Sequence, residues 1–555
     1  MIPIKINFNF KNIVAALTIN VFIISLLISN CSFSKENKPY LLTQADFTLQ
    51  NNSFAHFQEY TPQYKMYEPL GSGLAVLDIN NDGNYEIFFS QFDKNNTASV
   101  LYNNNGDGTF KDITSAVGLS NLTSLIGVAT GDFNNDGWVD LLAYGYKEIH
   151  LMKNDKGIFI KTKLPHFPEN SFFTSAAFIN ANNDEYLDLW LSRYVELDSN
   201  SHINCNGGDG LPFYCAPSAY PFQKDFLVLN KNGESFSIET NLIKIDESPS
   251  LGVVSSDFNN DGLNDIYVAN DGQNNFLFSQ QKNGTFIEEA EAKNVAANFI
   301  GKTEASMGIG IGDYDNNGYV DVFLTHLALE TNTLYKNEKT WFTDVTNRTK
   351  LSAHSRKSTG FGTGLYDLNG DNLLDIFIVN GKIQPKPFAP RKNLTQQFKQ
   401  KPLLYLNKDN QFEFSNNKIE NLTSIVGRGL VFVDIDNDGD TDMLSNNNNQ
   451  KPSIFKNNLN PSKWLGLTIK CNNRFDIGAK LKFNISIKGK NQYIYRFVHT
   501  DGSYASSNDP RILFYLNEKV ELQQIKITFT DSKTKTVDDT SLLVNKYTTI
   551  KCENS

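Results

Sequence analysis

Apolar residues along this chain come in short runs that stop at a polar loop and resume directly behind it. In "GLAVLDINNDGNYEIFFSQ" one apolar run ends at Asp78, a loop dense in oxygen-bearing side chains follows, and a second run starts after Glu86. Short apolar runs bounded by Asn, Asp and Gly predict strands. A second pattern follows each time, as "LYNNNGDGTFKDIT" at Leu101, "LMKNDKGIFI" at Leu151, "LVLNKNGESFSIET" at Leu227, "FLFSQQKNGTFIEEA" at Phe276, "LYKNEKTWFTDVT" at Leu334, "LYLNKDNQFEF" at Leu404 and "IFKNNLN" at Ile454. A strand, an Asn/Gly turn and a strand with an aromatic make a hairpin signal. Each unit thus predicts four short strands.

The polar loop recurs as "DINNDGNYE" from Asp78, "DFNNDGWVD" from Asp132, "NANNDEYLD" from Asn180, "DFNNDGLND" from Asp257, "DYDNNGYVD" from Asp313, "DLNGDNLLD" from Asp367 and "DIDNDGDTD" from Asp434. Successive starts lie 54, 48, 77, 56, 54 and 67 residues apart, close to the roughly 40 to 50 residues of a propeller blade plus loop insertions. Seven units predict an all-β fold, a seven-bladed β-propeller with calcium-binding loops, and residues near Phe47 to Phe57 are expected to supply a closing strand. The competing architecture is an array on helical repeats. Few segments show a 3.6-residue period, and the abundant Asn, Gly and Phe speak for strands and turns.

The spacing inside the loop suits a hard cation, which takes about six to eight oxygens from a tightly curled backbone. Side chains at positions 1, 3 and 5 point inward, a carbonyl near position 7 adds an oxygen, a carboxylate at position 9 closes the cage, and glycine at position 6 permits the turn. The candidate calcium ligands are Asp78, Asn80, Asp82 and Glu86 in the first loop and Asp132, Asn134, Asp136 and Asp140 in the second. The third offers Asn180, Asn182, Asp184 and Asp188, and the fourth Asp257, Asn259, Asp261 and Asp265. The last three offer Asp313, Asp315, Asn317 and Asp321, then Asp367, Asn369, Asp371 and Asp375, then Asp434, Asp436, Asp438 and Asp442. An EF-hand sets its closing Glu at position 12 between helices, whereas here the acid at position 9 runs straight into apolar residues. A lone Asx-rich turn reads as a solvated turn capping its own backbone; recurrence favours a cation. The third loop, with Glu185 in the glycine position, and the sixth, with Asn372 there, depart from the pattern.

Net charge adds to this picture. The cage positions hold 21 of the 61 acidic residues, leaving 40 acids against 51 bases elsewhere. Clustered carboxylates repel one another unless cations sit between them, so the acidity belongs to the loops and not to an acidic partner surface. Extracellular calcium modules bind at about 10⁻⁴ to 10⁻³ M. In millimolar calcium each site then adds on the order of 0.5 to 1.5 kcal/mol, which makes structural calcium the default role.

From Trp464 the loop pattern stops and alternation sets in, through "WLGLTIK", "AKLKFNISIKG", "YIYRFV", "ILFYL" and "QQIKITFTD". These predict a separate small β domain over residues 461–555, following a repeat domain over 45–460. At the other end, Lys5 and Lys11 precede the apolar "IVAALTINVFIISLLIS", then Asn30 and Cys31. This predicts an export signal over residues 1–30, with a linker over 31–44. The run is short for a membrane span. No later segment is long and apolar enough to cross a bilayer. Four further cysteines in an exported chain suggest disulfides: Cys205 and Cys215 would pin an insertion, and Cys471 and Cys552 would join if the first and last strands of the tail pair. Their spacing fits no zinc site.

The loops with their "LYxNxGxGxF" strands resemble the FG-GAP or VCBS repeats of integrin-type propellers, and the combination with the tail is similar to the cartilage acidic protein family. "SMGIGIGDYDNNGYVD", "GFGTGLYDLNGDNLLD" and "GRGLVFVDIDNDGDTD" resemble that family's repeats, while "NRFDIGAKL" and "GSYASSNDPRILF" resemble the ASPIC/UnbV domain that ends such proteins. The resemblance implies calcium at loop positions 1, 3, 5 and 9, and extracellular or envelope binding. The apolar run ending at Cys31 resembles the bacterial lipoprotein signal, which implies acylation of Cys31 and an outer-membrane or cell-surface lipoprotein, with the periplasmic face as the alternative.

Signs of catalysis are missing. The seven His residues are scattered, and neither H-E-x-x-H nor G-x-S-x-G occurs. His326, near Glu330, reads as a satisfied turn histidine. The runs like "TGFGTG" precede strands and make poor phosphate cradles, and basic runs interleaved with aromatics are absent, which speaks against nucleic acid. The expected function is a calcium-binding, lipid-anchored binding or adhesion module at the cell envelope, not an enzyme, with a protein or glycan partner. A polysaccharide-active enzyme and a scaffold of an envelope complex are the alternatives. The insertion from Ser192 to Phe226 is the expected extra element of the binding face, and the basic surplus outside the loops suits an acidic glycan.

Overall fold

The computed structural model describes residues 40–47, 54–58, 60, 61, 63–92, 98–197, 203–390, 392–517 and 520–552. The signal expected over residues 1–30 and the expected acylation site Cys31 lie outside them. Among the described residues no helix is long and apolar enough to cross a membrane.

Six of the repeats form four-stranded antiparallel sheets in sequence order. Their first strands are Leu74–Leu77, Leu125–Gly131, Phe173–Ile179, Ser250–Ser256, Ile309–Gly312 and Gly360–Tyr366. The acidic loop joins first strand to second, and the Asn/Gly turn joins third to fourth, as the two sequence patterns require. The seventh sheet has five strands, ordered Ile419–Glu420, Leu42–Asp46, Ser453–Asn457, Asp442–Asn447, Gly427–Val433. Its strand from the other end of the chain, Leu42–Asp46, lies ahead of the stretch expected to close the fold. Phe47 and Phe54 instead lay their rings on Phe89 of the first sheet, at centroid distances of 5.7 and 5.4 Å. The aromatic signal thus marked packing, and the strand itself, "LTQAD", was inconspicuous because its pairing is a backbone matter.

One side chain per repeat ties the sheets together. Asn104, Asn154, Asn230, Gln280, Asn337, Asn407 and Asn457, on the third strands, donate their amides to the main-chain carbonyls of Ile435, Ile79, Phe133, Ala181, Phe258, Tyr314 and Leu368, at 2.5 to 3.0 Å. Each acceptor is the second residue of the preceding sheet's acidic loop. The bond from Asn104 to Ile435 connects the first sheet to the seventh, so the series returns to its start. The first strand of each sheet likewise packs on that of the next, and Leu74–Leu77 on Gly427–Val433.

The space enclosed by these first strands is filled. From the loop side comes the segment His499–Arg511 of the tail. Ser507 exchanges backbone bonds with Leu74 and Val76, Ala505 accepts from Val128, Asp501 from Ser255, Ser503 pairs with Ile309 and Asp509 donates to Phe432. The Tyr504 ring stands edge-on to Phe361 at 4.9 Å, and its hydroxyl donates to Leu70 O at 2.9 Å. From the other side Met66, Tyr67 and Leu70 join the same buried cluster. Glycine is needed where these backbones meet: a Cβ on Gly73 would lie 1.9 Å from Ala505 O.

The rest of the tail is two four-stranded sheets, one built on Trp464–Cys471 with Arg474–Phe475, Ile512–Tyr515 and Tyr547–Lys551, the other on Lys480–Ile487 with Lys490–Phe497, Val520–Thr528 and Thr534–Val537. They enclose a core that includes Leu465, Leu467, Phe483 and Phe514. The first strand pairs in parallel with the last, and Cys471–Cys552 bridges them. Cys205–Cys215 closes the short hairpin of the third sheet's insertion. The tail expected as a separate domain has its own core, yet it also supplies the filling of the repeat domain.

Asn154 is fully buried, and its removal leaves the carbonyls of Ile79 and Val139 without their donor. Asn154→Ala is expected to lower stability by about 1–3 kcal/mol, read from the urea midpoint, while the half-exposed Asn103→Ala shifts it by less than about 0.5 kcal/mol.

Candidate functional site

The seven loops lie between first and second strands, so the sheets deliver them to one face. The curl needs a left-handed backbone twice. Position 4 supplies it as Asn81, Asn135, Asn183, Asn260, Asn316 and Asn437, all with φ between 56° and 59°, and position 6 as Gly83, Gly137, Gly262, Gly318 and Gly439, with φ between 86° and 93°. Asparagine tolerates that region because its side chain bonds locally. The position-1 carboxylate then accepts the amides of positions 5 and 6, as Asp78 does from Asp82 at 3.1 Å and Gly83 at 3.0 Å.

The sixth loop keeps this curl with its residues exchanged: Gly370 stands at position 4, φ 75°, and Asn372 at position 6, φ 64°. The Asn372 side chain also exchanges two hydrogen bonds with the Tyr515 backbone of the tail. The third loop differs more. Glu185 does not enter the left-handed region, and Asn180 at position 1 donates to Asp184 O at 3.2 Å.

Position 9 carries a duty that sequence reasoning missed. In the second to seventh loops one carboxylate oxygen accepts the position-2 amide and the other accepts the amide of the third-strand Asn or Gln, as Asp321 does from Tyr314 at 3.0 Å and Asn337 at 2.7 Å. In the first loop Glu86 accepts from Ile79 at 2.9 Å while its other oxygen is buried without a partner. Three carboxylates converge to within 4.8 Å in two loops among the described residues, as Asp313, Asp315 and Asp321, and as Asp434, Asp436 and Asp438. Elsewhere Asn takes one of those places. Three loops also have a lysine beside the cage: Lys153 on Asp136 at 3.2 Å, Lys336 on Asp315 at 3.0 Å, and Lys456 on Asp436.

Burial pushes these carboxyls up, and neighbouring carboxylates add to the effect. Asp132 and Asp434 rise to about 6, Asp188 and Asp313 to about 7, and Glu86 to about 8. Buried oxygens without a hydrogen-bond donor occur at cage positions in four loops: Glu86 Oε1, Asn134 Oδ1, Asn180 Oδ1 and Asp315 Oδ1. Desolvated oxygens short of donors are what a hard cation satisfies, so the residues present fit calcium.

The tail supplies a second set of partners. Arg474 donates to Glu185 O, Lys480 to Asn260 Oδ1 and Gly318 O, Arg496 to Asn372 O, and Arg511 to Asn437 Oδ1 and Asp434 O. Four bases of one module thus lie on the loops of the other. The one signal for this in the sequence was the basic surplus outside the loops.

On the opposite face the insertion pinned by Cys205–Cys215 meets that of the sixth sheet. Gln384 exchanges two bonds with the Tyr214 backbone, and Phe388 N donates to Asp209 at 2.8 Å. Beneath them Tyr214 donates to the buried Glu68 at 2.9 Å. His326 is buried, with Nδ1 2.7 Å from Thr331 O and Nε2 3.2 Å from Ser306 Oγ. It is a packed, hydrogen-bonded histidine, as expected.

Comparison with known proteins places this geometry. The FG-GAP-like repeat model matches residues 78–143, 132–191, 257–324 and 313–378, so the repeat sheets are of the FG-GAP type. The model described as ASPIC and UnbV matches residues 470–555. The chain thus carries FG-GAP-like repeats followed by a segment of the ASPIC and UnbV type. Cartilage acidic protein 1 of Xenopus tropicalis is 31% identical over 128 residues, which are 22% of this chain and 19% of that protein. Among solved structures, an Agrocybe aegerita lectin described for recognition of non-reducing terminal N-acetylglucosamine aligns at 13% identity and TM-score 0.37, over 64% of this chain and 80% of its own. Bacillus licheniformis rhamnogalacturonan lyase PL11 aligns at 11% and 0.35, over 75% of each.

Burial holds the His326 pKa down at about 4, below the roughly 6.5 of an unfolded histidine. Its neutral form therefore contributes stability that is complete above about pH 6.5 and lost as pH falls toward 4, on the order of 3 kcal/mol. Proton NMR of the imidazole should show no protonation down to about pH 5, and His326→Gln should flatten the acid limb of the stability curve.

Proposed function

We propose that this protein is a calcium-stabilised binding module of the cell envelope, exported and held to the membrane by a lipid on Cys31, in which seven sheets close into a seven-bladed propeller. The observation that carries the calcium reading is the set of buried, donor-less oxygens at the cage positions of four loops. The bond from Asn104 to Ile435 supports the closed ring. Calcium would be held by side chains at positions 1, 3 and 5, with position 9 shared between the ion and the backbone, and it would neutralise carboxylates that burial leaves unfavourably charged. The chain's own residues do the rest: the Asn ladder sets the spacing of the loops, and the tail's cations fix their outer side. Two disulfides accord with an exported chain. The reading is of binding at a preformed surface, which a site built of cages and packing supports.

The test is thermal unfolding of the protein in millimolar calcium and in chelator. Chelation is expected to lower the midpoint by roughly 3–6 °C for a chain of this size, with recovery on adding calcium back and less on adding magnesium, whose octahedral preference these loops do not meet. An unchanged midpoint would sink the calcium reading.

A further inference from the structure

A cleft of about 780 Å³ opens between the first two cation loops and the tail. One wall is a sheet face. Trp464–Cys471 and Tyr547–Lys551 run parallel in a register that pairs Thr468 with Thr549 and Lys470 with Lys551. Alternation sends Leu467, Ile469 and Ile550 into the tail's core and leaves the threonine and lysine rungs facing the cleft. The other wall carries Asp82, Asp136, Asn81 and the half-buried Trp138.

Lys470 and Lys551 stand on neighbouring strands about 4.8 Å apart, and neither makes a salt bridge among the described residues. Lys470 is half-buried, its ammonium over the Phe475 ring at 5.2 Å. Two like charges on one rung repel, and an anion set between them turns that repulsion into attraction. A polyphosphate suits the lysines but would meet Asp82 and Asp136 opposite. A ligand with one negative group per unit and many hydroxyls suits both walls: its carboxylate faces the lysines, its hydroxyls bond the threonines and bring no charge against the loop carboxylates, and a pyranose face lies on the indole. The volume lies within the range of ordinary ligand pockets.

We propose that this cleft binds an acidic saccharide, a chain of uronic-acid type, with Lys470 and Lys551 reading its carboxylate and Trp138 its ring. The inference rests on the binding-module reading above and gives that module a ligand class and a place.

The experiment is isothermal calorimetry of the full-length protein in mild detergent and millimolar calcium, titrated with hexamannuronate, with a heparin hexasaccharide, and with mannohexaose, which has the mannuronate backbone without its carboxylates. At least one acidic oligosaccharide is expected to bind about tenfold or more tightly than mannohexaose, with Lys470→Ala/Lys551→Ala losing about tenfold and Trp138→Ala a similar amount. The melting midpoint of both variants in calcium serves as the folding control, and Lys470→Arg is expected to retain most of the affinity, since it keeps the charge. Acidic probes that bind no better than mannohexaose, or a double-lysine variant that binds as well as the parent, would overturn the proposal. Neither result touches the chelation midpoint, so failure of the cleft and failure of the calcium reading are separate outcomes.

Discussion

The amide of one third-strand residue per repeat, bonded to a carbonyl of the sheet before, is the contact on which the arrangement depends. At Asn154 the backbone amide donates to Asp140, the side-chain amide donates to Ile79 O, and Oδ1 accepts the amide of Gly157 in the hairpin turn. Asn230 repeats the set with Asp188, Phe133 and Gly233. A single residue thus holds the closing carboxylate of its own cage, the turn of its hairpin and the loop of its neighbour. From the second loop on, cage geometry and the spacing of the sheets are therefore one problem in this fold, because the carboxylate at position 9 is fixed by the same residue that bonds the preceding sheet. A buried amide with all its bonds made is inexpensive, and one with a bond missing costs about 1–3 kcal/mol, so the ladder is strict about where each sheet sits.

The tail solves two difficulties that the repeats create. Seven sheets of which the first strands face a common centre leave a space, and the segment around Tyr504 fills it with backbone bonds to strands on several sides. A ring of carboxylate loops on one face also concentrates negative charge, and Arg474, Lys480, Arg496 and Arg511 bring positive charge onto it. Arg511 is held in place by Asp509 at 2.7 Å and lies between the rings of Tyr85 and Tyr547 at 4.2 and 4.0 Å. These bases sit on carbonyls and amides of the loops more than on their carboxylates, so the cage oxygens stay free of them.

Much of this was legible in the sequence because local spacing encodes it. The loop "DxNxDGxxD" prescribes its own curl, and the strand runs on either side prescribe the pairing, so the repeats and their strand order followed from pattern. Both disulfides were legible as well, from position alone. What spacing could not show was anything decided by a distant partner. Leu42–Asp46 has little apolar character and pairs with residues more than 400 positions away. The repeated Asn of "LYxN" was read as a turn signal, though its side chain serves the adjacent sheet. "GSYASSNDP" was noted only for its resemblance to the tail domain, and its small residues prove to be those that fit among the first strands. The departures at Glu185 and Asn372 looked like decay of the motif; in the structure both positions receive the tail, through Arg474 and Arg496.

The five-stranded seventh sheet has a consequence for the order in which the chain can assemble. Its strands come from both ends of the repeat domain, since Leu42–Asp46 pairs with Ser453–Asn457, and the central filling follows later still, at His499–Arg511. A chain emerging from its first residue onward can build individual sheets as they appear, because each is local. It cannot complete the seventh sheet until residue 457 is free, nor join the first and last strands of the tail until Cys552 meets Cys471. Until then the inner faces of six sheets are wet, and the strand that will complete the seventh waits unpaired. The seventh sheet is for that reason the last of the seven that the chain can complete, and a truncation upstream of Ser453 leaves Leu42–Asp46 without its antiparallel partner.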